Sequence, residues 1–137
     1  MNATELTVHN MNRSFAQVKK VIEGLSDFDS RVNEHTFSAG ETLEHLTECY
    51  VAFDASCKGE EHQWGTYAAP DKSPDGLISA YEAGHAKSLE IVNGSEDENV
   101  LKHAADYIYL HESYHIGQLC TLRLTLDPEW NFYSIYE

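Results

Sequence analysis

The chain has 137 residues, 42% of them hydrophobic, and sets nine Lys and Arg against 23 Asp and Glu for a formal charge of −14. That length suits one domain, residues 1–137, around one core, and the apolar content is too high for a disordered chain. So acidic a surface argues against nucleic acid and anionic lipid as partners, because affinity for both comes largely from Lys and Arg.

Residues 1–15 hold no apolar h-region and no small-residue cleavage site, so no secretory signal is expected. No apolar run approaches bilayer length, and a membrane-spanning role is not expected either. Cys49, Cys57 and Cys120 are odd in number and form no Cys-x-x-Cys. Reduced thiols in the cytoplasm are the expectation, each packed as a small hydrophobe.

Four stretches carry helical periodicity. The first covers residues 4–25, where Leu6, Phe15, Val18, Ile22 and Leu25 recur at three- and four-residue steps. A polar connection over 27–40 follows. The second helix is predicted over 41–57, with Leu43, Leu46, Tyr50 and Phe53 on its apolar face and capping candidates between Ser38 and Gly40. A long loop, 58–72, carries Trp64, Tyr67 and Pro70; loops of that length in a compact domain are often functional or mobile.

Ser73, Pro74 and Asp75 announce the third helix with an N-cap, a proline at the first helical position and an acid in the first turn. It is predicted to run to residue 92 and to stop at Asn93-Gly94. The fourth is predicted over 98–126, ending at Asp127-Pro128. The tail, 129–137, holds Trp130, Phe132, Tyr133, Ile135 and Tyr136, a composition that predicts packing on the chain itself or on a partner subunit. With no strand signal and no repeat, the fold class expected is all-α, an antiparallel four-helix bundle.

His111 and His115 stand four residues apart, one turn along one helix face. At about 100° per residue the apolar stripe of the fourth helix holds Leu101, Ala104, Ile108, Leu119, Leu122 and Leu126. His111, His115 and Gln118 project into its middle, where polar groups are costly to bury without partners. His45, on the flank of the second helix that carries Leu46, Cys49 and Phe53, can face them across a bundle. Bundle cores build metal sites from facing helices in this way, and three protein ligands leave positions open for water or substrate. A hydrogen-bonded core histidine is the bland alternative for each. His9, His35, His85 and His103 are expected at the surface; His62, near Trp64, is an outlying candidate for a further ligand.

The run His111-Glu112-Ser113-Tyr114-His115-Ile116-Gly117-Gln118 resembles the His-(Asp/Glu)-x-x-His-x-Gly-Gln signature of the DinB-like (DinB/YfiT) superfamily, and Thr42-Leu43-Glu44-His45-Leu46 resembles its second-helix motif. The resemblance implies a DinB/YfiT-type four-helix bundle binding one divalent metal ion through His45, His111 and His115, often as a homodimer. It also implies a metal-dependent enzyme acting on a small molecule. Characterised relatives include S-transferases that use low-molecular-weight thiols and a mycothiol-dependent maleylpyruvate isomerase; others resemble hydrolases. Many members have no known activity, and a fold does not fix a reaction.

Zinc or nickel leads among the metals compatible with three imidazoles, with manganese or iron behind. In an enzyme the ion would lower the pKa of a bound thiol or water and present a nucleophile near neutral pH. Glu112, Tyr107 and Tyr114 are then catalytic candidates as proton carriers or substrate contacts on the helix surface. Gln118 is a candidate to orient a ligand or a metal-bound water from outside the ligand set. Gly117 permits close helix approach or is merely tolerated. A non-enzymatic metal-binding bundle is the alternative. His111-Glu112-x-x-His115 also matches the zincin protease motif, in which the Glu is the general base. Against that stand Gln118 and Thr121 where the longer protease pattern requires Gly and His, and the lack of a strand to hold a peptide.

Overall fold

A computed structural model describes residues 1–137, and it is all-helical, with four helices and no strands. The helices are α1 (Ala3–Ile22), α2 (Ala39–Cys57), α3 (Pro74–Asn93) and a fourth rod made of α4 (Glu98–Ala104), a π-helical turn (Ala105–Tyr109) and α5 (Leu110–Leu126). A short 3-10 helix, Phe132–Tyr136, closes the chain. No helix is long and apolar enough to cross a membrane.

Each start is written in the sequence. Asn2 and Glu5 form a capping box on α1, and Ser38 and Glu41 form another on α2, satisfying backbone N–H groups that have no partner within the helix. Ser73 caps α3 ahead of Pro74, and Asp97 caps α4. The end of α1 is held from a distance. Arg123 Nη1 donates to the carbonyls of Val21 (3.0 Å) and Glu23 (2.8 Å), while its guanidinium lies against Trp130.

Buried apolar residues from all four helices form one cluster, including Met11, Val18, Leu43, Phe53, Tyr81, Val92, Ile108 and Leu119. The predicted α1 face needs one correction. Leu6 is exposed, and the buried face is instead Thr7, Met11, Ser14, Val18, Val21 and Ile22. The tail packs on its own chain, with Ile135 buried and Arg13 Nη2 donating to the Tyr136 carbonyl at 3.3 Å.

The π turn changes the reading of the fourth helix most. An i→i+5 turn takes in an extra residue, so every position after it turns about 100° from where an unbroken helix would place it. The buried line therefore runs Ala104, Ile108, Glu112, Ile116, Leu119 and Arg123, flanked by His115 and Leu122. The regular projection put His111, His115 and Gln118 at its centre. Instead Glu112 occupies the core, His115 is buried beside it, His111 is half-buried on the flank, and Gln118 is exposed.

Gly117 is exposed. A Cβ there would meet nothing within 4 Å, so close helix approach is not its role. Gly117→Ala is expected to raise stability by about 0.5–1 kcal/mol, the helix-propensity difference, as read by urea denaturation.

Candidate metal centre

His45 leaves α2 toward α5, and His111 and His115 meet it from one turn beyond the π segment. The Nε2 atoms of His45 and His111 are 2.8 Å apart, and those of His111 and His115 are 3.1 Å apart. The three rings stand edge to face, with centroids 4.6–5.0 Å apart. The structure thus brings together the three histidines picked out in the sequence.

It adds a fourth donor that sequence reasoning had assigned to packing. Cys49 Sγ lies 3.9 Å from His45 Nε2, the same nitrogen that meets His111. The donor atoms of His45, Cys49 and His111 all lie within 4.8 Å of one another, a grouping able to hold a metal ion. The signal was available: His45 and Cys49 have the same four-residue spacing as His111 and His115.

Protein hydrogen bonds alone serve this cluster badly. A neutral imidazole has one donor and one acceptor nitrogen. His111 Nε2 is therefore either the donor or the acceptor, yet it faces two other Nε2 atoms. A cation between them engages every lone pair at once. Bond lengths of about 2.0–2.3 Å put neighbouring donors of a tetrahedral site roughly 3.3–3.8 Å apart. The observed separations of 2.8, 3.1 and 3.9 Å straddle that span. His45, Cys49 and His111 form a group that could hold a metal ion.

Electrostatics keeps the imidazole lone pairs free, while the Cys49 thiol holds its proton. Burial lowers the pKa of His45, against the nearby Glu48 carboxylate, which raises it. Burial and then His45 lower that of His111. His115 is lowered to about 4, first by burial, then by His111 and His45, with Gln118 opposing. Burial, followed by the Glu112 and Glu48 carboxylates, pushes the Cys49 thiol up to about 12.

The cluster opens into a cavity of about 330 Å³ lined by His45, Cys49, Trp64, Asp106, Tyr107 and His111. Tyr107 is half-buried and stacks on Trp64, with centroids 6.4 Å apart. Tyr114 is exposed beside His111 and His115, and its hydroxyl accepts from Gln118 Nε2 at 3.0 Å. Tyr107 and Tyr114 therefore remain near the histidines, as expected.

Glu112 does not. It is 2% exposed and turned into the core, where its carboxylate accepts from Ser14 Oγ (2.7 Å), Tyr50 OH (2.9 Å) and Tyr81 OH. Burial raises its pKa, with the three hydroxyls pulling the other way. The surface position expected for Glu112 is corrected: it lies in the buried line between Ile108 and Ile116. A general base of the protease kind must reach a water in the open site; this carboxylate is committed to three protein hydroxyls.

Two other histidines also differ from expectation. His62 is not among the metal-capable donors; its Nε2 bonds Glu48 Oε2 at 2.9 Å. His85 is buried, stacked on Phe15 at 3.8 Å and bonded to Asn12 Oδ1 at 3.0 Å. His9 and His35 are exposed, and His103 is half-buried.

Glu48 was not picked out in the sequence. Beyond His62, it accepts from the backbone N–H groups of Gly65 (2.9 Å) and Tyr67 (3.3 Å), and Glu44 accepts from that of Ala69 (3.0 Å). These bonds fasten the 58–72 loop to α2 and hold Trp64 at the cavity mouth. Burial raises the Glu48 pKa, but the bonds from His62, Tyr67 and Gly65 together outweigh it and keep the carboxyl low. Glu48→Ala is expected to free the loop. Charged hydrogen bonds contribute about 1.5–3 kcal/mol, so amide exchange at Gly65 and Tyr67 should accelerate by roughly tenfold or more. Unchanged exchange would mean that the loop holds itself.

Compared with protein-family models, curated proteins and solved structures, the chain finds no match in any of the three.

Proposed function

We propose that this protein is a divalent-metal-dependent enzyme built as an antiparallel four-helix bundle of the DinB-like kind. It acts on a small molecule in the cytoplasm, with a low-molecular-weight thiol as substrate or co-substrate. Transfer of the thiol sulfur to an electrophile and hydrolysis are the two reaction types that suit the site. The observation that carries the reading is the convergence of three imidazole Nε2 atoms from α2 and α5, with separations of 2.8 and 3.1 Å along the chain of rings. The His-Glu-x-x-His-x-Gly-Gln run supports it independently, as does the cavity that reaches the rings from outside.

Bound there, a divalent ion supplies Lewis acidity, favouring the deprotonated form of a thiol or water that reaches it. The protein's own residues do the rest. Trp64 and Tyr107 wall the cavity with aromatic faces and limit water. Tyr107, which lines the cavity, is the candidate to hand a proton to a leaving group or hold a substrate. Tyr114 and Gln118 form a hydrogen-bonded pair at the outer edge of His115 and His111 that can steer an incoming ligand. Asp106 adds a negative group to the rim, which favours neutral or cationic over anionic substrates.

A non-enzymatic metal protein is the second reading. It is favoured by the way the histidines join α2 to α5, which would let an ion brace the fold. Elemental analysis of the purified protein tests the shared premise: about one zinc, nickel or similar ion per chain is expected. Melting with and without chelator then separates the two readings. A bracing ion leaves the stripped chain largely unfolded, whereas a catalytic ion leaves it folded but inactive toward thiols and electrophiles. No bound metal, and no uptake on titration, would end both. The resemblance also carries a homodimer, read directly by light scattering at known concentration.

A further inference from the structure

We propose that the Cys49 thiolate is itself a ligand to the ion, so that the centre is a mixed sulfur–nitrogen site with His45, His111 and His115. This deepens the metal reading above and rests on it. Three observations carry it. Cys49 Sγ and His111 Nε2 address the same atom, His45 Nε2, at 3.9 and 2.8 Å, and the three donor atoms lie within 4.8 Å of one another, with His115 Nε2 reaching the group through His111 at 3.1 Å. His45 and Cys49 are one turn apart on α2, so α2 presents two donors to His111 of α5. Cys49 also lines the same cavity as His45 and His111, although the residue is only 3% exposed. A cysteine that served only to fill the core would have its sulfur among aliphatic side chains, and this one faces imidazole nitrogens.

Coordination replaces the S–H bond with a sulfur–metal bond, and the released proton passes to solvent or buffer. The consequence is selectivity. A thiolate favours zinc, cobalt or copper(I) over magnesium, calcium or manganese, whose preferred ligands are oxygens. It also limits access. Four protein donors fill a tetrahedral ion, so a substrate entering the sphere must raise the coordination number to five or displace one donor.

Cobalt(II) titration of the chelator-treated full chain tests this. Cobalt bound by imidazoles shows visible ligand-field bands, and a cobalt–thiolate bond adds a sulfur-to-metal charge-transfer band in the near ultraviolet. The wild type is expected to show both. Cys49→Ser is expected to keep the visible bands, lose the charge-transfer band and bind cobalt at least tenfold more weakly. Cys57→Ser serves as the control and should keep both bands. Visible bands without charge transfer in the wild type would overturn the assignment of Cys49 and leave the histidine site standing. Absence of both sets of bands would overturn the metal reading itself. Should Cys49→Ser fail to fold, Cys49→Ala and Cys49→Val, which fill the position without a donor, replace it with the same expectation.

Discussion

Glu112→Ala is expected to destabilise the protein by about 3–5 kcal/mol, measured by urea denaturation with chelator present so that metal binding plays no part. Glu112 gathers Ser14, Tyr50 and Tyr81 from α1, α2 and α3 around one carboxylate in the core. Removing it leaves the buried Tyr50 and Tyr81 hydroxyls with only each other as partners, at about 1–3 kcal/mol for the unpaired one, and adds a cavity term. Ser14 suffers less, because its hydroxyl also reaches the Met11 carbonyl at 3.3 Å. Glu112→Gln, which keeps one carbonyl acceptor but turns an amide N–H₂ toward a hydroxyl, should cost about 1–2 kcal/mol. Tyr50→Phe should then cost much less in the Glu112→Ala background than in the wild type, since contacting groups in one network are not additive. A loss below about 1 kcal/mol for Glu112→Ala would show that the carboxylate does not organise this core.

The second large effect concerns the ion. His111→Ala is expected to weaken divalent-metal binding by more than about 100-fold, beyond the 10–100-fold typical of losing an outer partner of a ligand. His111 Nε2 is the central atom of the cluster, within 2.8 Å of one ring nitrogen and 3.1 Å of another. Calorimetric titration with zinc or nickel measures the loss. Because His111 is only half-buried, the metal-free variant should keep its stability to within about 1 kcal/mol. His115→Ala should lose affinity to a similar degree and also about 2–3 kcal/mol of stability, because its ring is buried and leaves a cavity. Tyr107→Phe, which removes a cavity hydroxyl and no ring nitrogen, should leave affinity unchanged. A His111→Ala variant that binds metal like the wild type would remove the basis for the whole site.

The expected class of the ion matters for how these results combine. If Cys49 contributes sulfur, His111→Ala leaves three donors and some residual affinity for soft ions, while His111→Ala with Cys49→Ser should leave none. The same pair of variants shows whether the loop anchored by Glu48 depends on the ion or only on α2. Its bonds run from Gly65, Tyr67 and His62 to a residue one turn past Glu44, and none of them uses a cluster nitrogen.

The sequence by itself determined the four helices and most of their ends; α1 stops at Ile22, short of the predicted residue 25. Ser38 with Glu41, Ser73 with Pro74, and Asn93 with Gly94 are local signals, satisfied within a turn of themselves, and need nothing from the rest of the chain. It also picked out the imidazoles that meet, His45, His111 and His115. Tertiary structure decided what spacing could not. It put a π turn at Ala105–Tyr109, set Glu112 in the core and left Gln118 at the surface. No periodicity drawn at a constant angle contains that step, since a π turn is stable only where packing on both sides accepts it. The roles of Cys49 and Glu48 were decided in the same way. A buried thiol and a helix carboxylate read identically in any sequence until a second helix or a returning loop supplies the atoms they face.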